Sequence, residues 1–393
     1  MEPKCIVNHY LEQVKPSGIR KFFDIANEME DVISLSIGEP DFQTPWHIRQ
    51  VGIDAAEKGK TWYSPSKGFI ALRTEIAAYL NRFDLTYSPE KEILVTVGAS
   101  EGIDMAMRTL LNIGDEVLIV QPSFVCYEPM VQMSGAIPVI IETFAKDKFK
   151  LTAELLREKI TPKTRMLVLP FPSNPTGAVM NREELEKIAE VIRETDMLVL
   201  SDEIYCELNY SSTPHVSIAS LPGMRERTIV VNGFSKSYAM TGWRIGYVAA
   251  IPEMIDVMTK LHQFAVMCAP TLSQFAAIEA LKNGQADIDY MRSEYDMRRR
   301  YIVDRLNSMG LDCFEPEGAF YAFPCIRSTG LTSEQFCEKL IFAKHVAVVP
   351  GNAFGDCAEG FVRISYSYSL KHITEALNRI EEFLKELKQE ATN

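Results

Sequence analysis

Seven short apolar runs punctuate the middle of the chain: "EILVTV", "EVLIV", "AIPVII", "RMLVLP", "MLVLS", "TIVVN" and "IGYVAA". Each has the length of a strand and ends in polar or turn-forming residues. Amphipathic segments such as "REELEKIAEVIRET" lie between several of them. Apolar runs without strict alternation suit strands covered on both faces. The pattern therefore predicts an α/β architecture, a mostly parallel sheet with helices on both faces. A helical stretch follows over about 253–306. The rhythm then changes. "GAFYAFP", "HVAVVP" and "GFVRISYS" read as strands, and "SEQFCEKLIFAK" and "KHITEALNRIEEFLKELKQE" as helices. The expected organisation is a segment 1–46 packing with the small domain, a large domain 47–290, and a smaller α+β domain 291–393.

In an open parallel sheet, ligands bind beyond the carboxyl ends of the strands. The residues just after each run are therefore informative. After "EILVTV" come Gly98, Ala99 and Ser100, opening a helix. After "EVLIV" comes "QPSF", with Phe124. After "RMLVLP" comes "FPSNPTG", with Asn174. After "MLVLS" comes Asp202, with Tyr205 close behind. After "TIVVN" come Ser235 and Lys236, with Arg244 further on. Each alone has a plainer explanation. "GAS" is a common helix start, Phe124 a core residue, "SNPTG" a turn, Asp202 a helix cap. Their delivery to one sheet edge favours a single site.

Composition narrows the chemistry. The chain has 393 residues, 47% hydrophobic and 24% charged, ordinary values for a globular protein. Its net charge is −12 and it has no extended basic cluster, so nucleic acid is not an expected partner. No run approaches the roughly 18 apolar residues of a membrane helix. The N-terminus lacks the apolar core of a signal peptide. Eight scattered cysteines without a CxxC pair, and six scattered histidines, give no metal spacing. A reducing cytoplasm is the expected compartment. Dinucleotide GxGxxG, Walker A and GxSxG motifs are missing, and the SxxK at 64–67 lacks its partner motifs.

A lysine amine can form a Schiff base with an aldehyde cofactor. Pyridoxal 5′-phosphate needs such a lysine, a carboxylate for its pyridine nitrogen, and a phosphate site. Lys236 and Asp202 fit the first two. Tyr205 and Asn174 fit donors to the ring's phenolate oxygen, and Phe124 fits a stacking plane. The Ala99 and Ser100 amides, Ser235 and Arg244 fit the phosphate.

With these residues in place, the sequence resembles a fold-type-I, class I aminotransferase. The resemblance is to the bacterial subgroup of aspartate, aromatic and N-acetyl-diaminopimelate aminotransferases. It rests on "SIGEPDF", "YSPSKG", "VTVGAS", "PSNPTG", "SDEIY", "FSKSYAMTGWRIGY" and "FVRISYS", spread over most of the chain. It implies a seven-stranded sheet in the large, cofactor-binding domain. It also implies that Lys236 holds the cofactor and acts as acid and base, with Asp202 and Tyr205 beside it. Arg363 would grip the substrate α-carboxylate, and the Gly38 backbone would approach it. Tyr63 would reach the cofactor phosphate of a neighbouring subunit, implying a homodimer with shared sites. Ile19 and Arg20 would lie near the substrate side chain.

Two departures bear on substrate. Phe124 stands where many aspartate aminotransferases carry tryptophan. Residues 245–291 contain no arginine, whereas the mammalian-type enzymes bind the distal carboxylate with one in that region. The expectation is a broad enzyme taking bulky or aromatic amino acids, with a keto acid such as 2-oxoglutarate as acceptor. Aspartate and N-acetyl-diaminopimelate remain alternative substrates. A pyridoxal β-elimination lyase of cystathionine-lyase type is the nearest rival, and a non-enzymatic sensor module a distant one.

Overall fold

The computed structural model describes residues 9–12, 14, 18, 29 and 31–390. All seven apolar runs are strands of one sheet. In chain order, after a short β1 (Ile33–Ser34), they are β2 (Ile93–Thr96), β3 (Glu116–Gln121), β4 (Ile137–Glu142), β5 (Thr164–Leu169), β6 (Leu198–Asp202), β7 (Thr228–Gly233) and β8 (Gly246–Ala249). Their spatial order is β2-β8-β7-β6-β5-β3-β4. Only β8 is antiparallel to its neighbours, β2 and β7.

Side-chain alternation explains why the runs look continuously apolar. Val117, Ile119, Met166 and Val168 face one core, against Ile103 and Met107 of the helix Gly98–Leu110. Leu118, Val120, Leu167 and Leu169 face the opposite core, against Leu185, Ile188 and Ile192 of the helix Arg182–Arg193. Both faces are dry, so neither set can be polar. The second helix opens with a capping box. Asn181 Oδ1 accepts from Glu184 N at 2.9 Å, and Glu184 Oε2 accepts from Asn181 N at 2.8 Å.

The remaining strands are short: β9 (Tyr321–Ala322), β10 (Val346–Ala347), β11 (Val349–Pro350) and β12 (Val362–Ser365). β12 is the centre of an antiparallel trio, with β11 and β9 on its flanks. β1 pairs in parallel with β10, which joins the early segment to the C-terminal elements. The "HVAVVP" run is thus two strands in two different sheets, broken at Val348. The helical stretch is three helices, Pro252–Ala265, Thr271–Asn283 and Gln285–Ser308. The boundary expected after residue 290 falls inside the last of these, which is continuous.

One contact sets the position of the helix Gly98–Leu110. A Cβ built on Gly246 would lie 2.7 Å from Ala99 N and from Gly98 C. Both are backbone atoms, so the helix start rests directly on β8. Gly246→Ala should therefore displace the helix and destabilise the protein by ~1–3 kcal/mol, as overpacking does. Thermal denaturation of the two proteins measures this. An unchanged midpoint would mean that the helix start can shift freely.

Candidate active site

Strand direction assembles the site. β2, β3, β5, β6 and β7 run parallel, so the loops after all five open at one sheet edge. β8 runs the other way, so the residues that precede it start at that same edge. Arg244 is among them. A cavity of about 360 Å³ opens there. Gly38, Ala99, Ser100, Phe124, Asn174, Asp202, Tyr205, Ser235, Lys236, Arg244 and Arg363 all line it. These are eleven of the fourteen residues singled out in the sequence. Tyr63 lies elsewhere, 76% exposed in an adjoining open concavity. Ile19 and Arg20 lie outside the described residues.

Lys236 lines this cavity. Its Nζ donates to the Gly38 carbonyl at 2.5 Å. Burial lowers the amine to about 8; Glu39 works against that and Arg363 and Arg244 add to it. A lysine so shifted has a usable neutral fraction near physiological pH, which nucleophilic attack on an aldehyde requires.

Asp202 closes β6. Burial pushes its carboxyl above the usual range, while Tyr127 pulls it back. The Tyr127 hydroxyl donates to Oδ2 at 2.7 Å, and Ile204 N to Oδ1 at 3.2 Å. Phe124 meets Tyr127 edge-on, with ring centroids 6.2 Å apart.

Arg363 comes from β12 and is 3% exposed. Its Nη1 donates to Asn174 Oδ1 at 2.9 Å and its Nη2 to the Ser36 carbonyl at 2.5 Å. Its guanidinium lies 4.5 Å from the Tyr321 ring and 4.8 Å from the Phe354 ring. Nε is buried with no partner among the described residues. Tyr205 and Tyr321 share a hydrogen bond of 2.8 Å between hydroxyls. Burial raises both phenols; Arg363 opposes this at Tyr321.

The opposite end is built for an anion. The helix Gly98–Leu110 points its N-terminus there. Gly98 has φ +74, and a Cβ on it would come within 2.5 Å of Arg244 Nη2. The positive φ makes any side chain strained here, and a Cβ would also push the guanidinium aside. Arg244 itself has φ +49 and donates from Nη1 to the Thr241 carbonyl at 3.0 Å. The amides, Ser235 and Arg244 could hold the phosphate of pyridoxal phosphate, with Phe124 and Asp202 in the same cavity to meet its ring. The residues present fit that cofactor.

Sequence reasoning missed Tyr127, Tyr321, Glu39 and Thr241, which also line the cavity. Tyr127 follows Phe124 by three residues, a signal of the same kind as Asp202 and Tyr205. Tyr321 sits within an aromatic strand, "GAFYAFP", where a phenol looks like packing. Among the described residues no helix is long and apolar enough to cross a membrane, and no side-chain cluster could hold a metal ion.

Comparison with known proteins agrees with this geometry. The aminotransferase class I and II family profile matches residues 30–380. The chain is 51% identical to the putative aminotransferase YugH of Bacillus subtilis (strain 168), over 96% of this chain and 98% of that one. It is 46% identical to an aspartate aminotransferase of Pyrococcus abyssi, over the same shares. The crystal structure of an aromatic aminotransferase from Pyrococcus horikoshii superposes with a TM-score of 0.90, at 46% identity, covering 94% of this chain and 99% of that one. The chain thus belongs to the class I and II aminotransferases, and it is a pyridoxal-phosphate-dependent aminotransferase.

Proposed function

We propose that this enzyme moves the amino group of a range of L-amino acids, bulky and aromatic ones included, to a keto acid such as 2-oxoglutarate. The observation that carries the assignment of roles is that Lys236 lines one cavity together with Asp202 and Arg363. The cofactor, when bound, supplies an aldehyde for the substrate amine and a ring that accepts electrons. The chain's residues do the rest. Asp202 would keep a proton on the ring nitrogen. Tyr205 and Asn174 would donate to the phenolate oxygen, and Phe124 would stack on the ring. The Ala99 and Ser100 amides, Ser235 and Arg244 would hold the phosphate. Arg363 grips the α-carboxylate as a fork, beside the Gly38 backbone. Lys236 Nζ would take the proton from the substrate α-carbon as base and, as acid, would give it back to the carbon of the cofactor that accepts it. The second half-reaction runs the same steps in reverse on the keto acid.

Relatives named for aspartate and for aromatic amino acids, at 46% and 45% identity, support a wide donor range. N-acetyl-diaminopimelate is kept as an alternative by a relative named for it, at 45% identity. Arg20 and Ile19 are proposed to meet the donor side chain. We also propose the homodimer. Tyr63, Trp62, Val266 and Met267 are exposed, and Phe264 is 92% so. Apolar exposure on this scale beside the site suits a second copy, whose Tyr63 would reach this chain's phosphate site. The division at 46/47 and 290/291 is proposed on the pairing of β1 with β10 and on the separate trio around β12. The seven described cysteines are free, which supports the cytoplasm as compartment.

Lys236→Met tests the central role. Transamination should fall by at least the ~10²–10⁴-fold of a lost acid–base group; near-normal turnover would refute it. The same variant has a second signature in protein stripped of cofactor. Free Lys236 titrates at about 8 folded, against 10.5 for an ordinary lysine. Between those values the unfolded chain binds more protons, so wild-type stability should rise with pH across that window. The gain is on the order of 3 kcal/mol. Methionine has no proton to lose, so chemical denaturation at a series of pH values should show the rise shrink in the variant.

Arg363→Lys keeps the charge and loses the planar fork. KM should rise for every amino donor, since all share the α-carboxylate, while cofactor absorbance persists. An effect confined to one donor class would assign Arg363 to the side chain instead.

The shared site is tested with hybrids. A Tyr63→Ala chain and a Lys236→Met chain are each expected to be weak alone. Mixed after subunit exchange, they should regain partial activity, because one site of the hybrid receives both intact residues. No gain, with exchange proven by mass, would place both residues in the same chain's site.

A further inference from the structure

The Tyr321 side chain touches Arg363, Tyr205 and the wall at Gly38, yet none of the assigned roles accounts for it. It is 1% exposed. Its ring face lies 4.5 Å from the Arg363 guanidinium. Its hydroxyl is 2.8 Å from that of Tyr205. The same hydroxyl presses on the N-terminal wall, where a Cβ built on Gly38 would collide with it. Gly38 in turn offers its carbonyl to Lys236. One phenol thus meets the carboxylate arginine, the cofactor-facing tyrosine and the backbone that holds the lysine.

Such contacts leave Tyr321 little freedom. Its hydroxyl lies where a side chain at position 38 would have to be, and it has Tyr205 as its side-chain partner. β9 pairs antiparallel with β12, with Tyr321 opposite Ser365 and Ala322 opposite Ile364. That register seats Tyr321 beside the strand that carries Arg363. Backbone pairing and side-chain contact therefore fix the same distance.

We propose that Tyr321 is a positioning residue that ties the α-carboxylate arginine to Tyr205, through its ring face on one side and its hydroxyl on the other. The proposal rests on the assignments of Arg363 to the carboxylate and Tyr205 to the cofactor. The two halves of the phenol do separable work. The hydroxyl fixes Tyr205, so that the Tyr205 O–H points where the phenolate oxygen of the cofactor lies. The ring supports the guanidinium by its π face, as a cation over an aromatic is held. Arg363 needs such support, because its other partners are a neutral amide oxygen, a carbonyl and a second ring.

The separation gives the test. Tyr321→Phe removes only the hydroxyl, and Tyr321→Leu removes the ring as well. Pyridoxamine 5′-phosphate is the first probe, since it has no aldehyde and its affinity reports non-covalent contacts. Its dissociation constant is read from tryptophan fluorescence in protein stripped of cofactor. The second probe is 3-phenylpropionate, a carboxylate without an amine, titrated against the holoenzyme's visible band. Tyr205→Phe and Tyr321→Phe should each weaken the first probe about three- to tenfold, the range of one neutral hydrogen bond. Together they should weaken it no more than either alone. Tyr321→Phe should leave the affinity for 3-phenylpropionate within twofold, whereas Tyr321→Leu should weaken it fivefold or more.

If Tyr205→Phe weakens the first probe but the two effects multiply, the hydroxyl link is overturned while the assignment of Tyr205 stands. If Tyr205→Phe has no effect, that assignment falls and the link falls with it. Equal carboxylate affinity for the Phe and Leu variants would overturn the ring's part. A general loss of structure is a different signature, because it would weaken both probes in Tyr321→Phe.

Discussion

Arg363 is a guanidinium held out of water beside neutral groups. Among the described residues its hydrogen bonds go to an amide oxygen and a main-chain carbonyl, and its faces to two aromatic rings. Burial lowers its proton affinity, with only phenols nearby to offset this. A buried cation of this kind is costly unless something meets it. Meeting it takes three distant parts of the chain: Ser36 from the N-terminal side, Asn174 from the loop after β5, and Tyr321 from β9. The early segment, the large sheet and the C-terminal strands converge because this one charge needs them all. Lys236 lines the same cavity, and Arg363 adds to the burial that lowers its hold on a proton. A cavity with that balance is set to receive an anion.

Much of this was legible in the sequence. The seven strand runs were plain because both sheet faces are covered, which forbids polar interruptions. The site residues were plain because parallel strands put the loops at their carboxyl ends along one edge, so polar residues after successive runs had to be neighbours. Position along the strand pattern was enough for Asp202, Lys236 and Asn174.

The rest was hidden for physical reasons. Tyr127 and Tyr321 are aromatic, and an aromatic in an apolar stretch carries no mark of whether its hydroxyl is used. Their partners, Asp202 and Tyr205, lie 75 and 116 residues away in the chain. The break of "HVAVVP" into strands of two sheets was equally invisible, because both halves are buried and apolar. Helix periodicity over 253–306 did not place the breaks at 266–270 and at Gly284; Pro270 and Gly284, which cap the helices there, were the signals to use.

The antiparallel turn from β7 to β8 has a consequence for how such a chain can change. Its register pairs Gly233 with Gly246 and Val231 with Val248. Everything between, from Phe234 to Ile245, must leave the sheet and return to it across a fixed gap. Lys236 stands three residues after Gly233 and Arg244 two before Gly246, so the paired glycines anchor the amine and the guanidinium at the two ends of one excursion. Most surface loops absorb inserted residues at small entropic cost. Here the position of an insertion decides its effect. One in the middle of the excursion would leave both ends anchored, whereas one next to either glycine would shift Lys236 or Arg244 against the sheet.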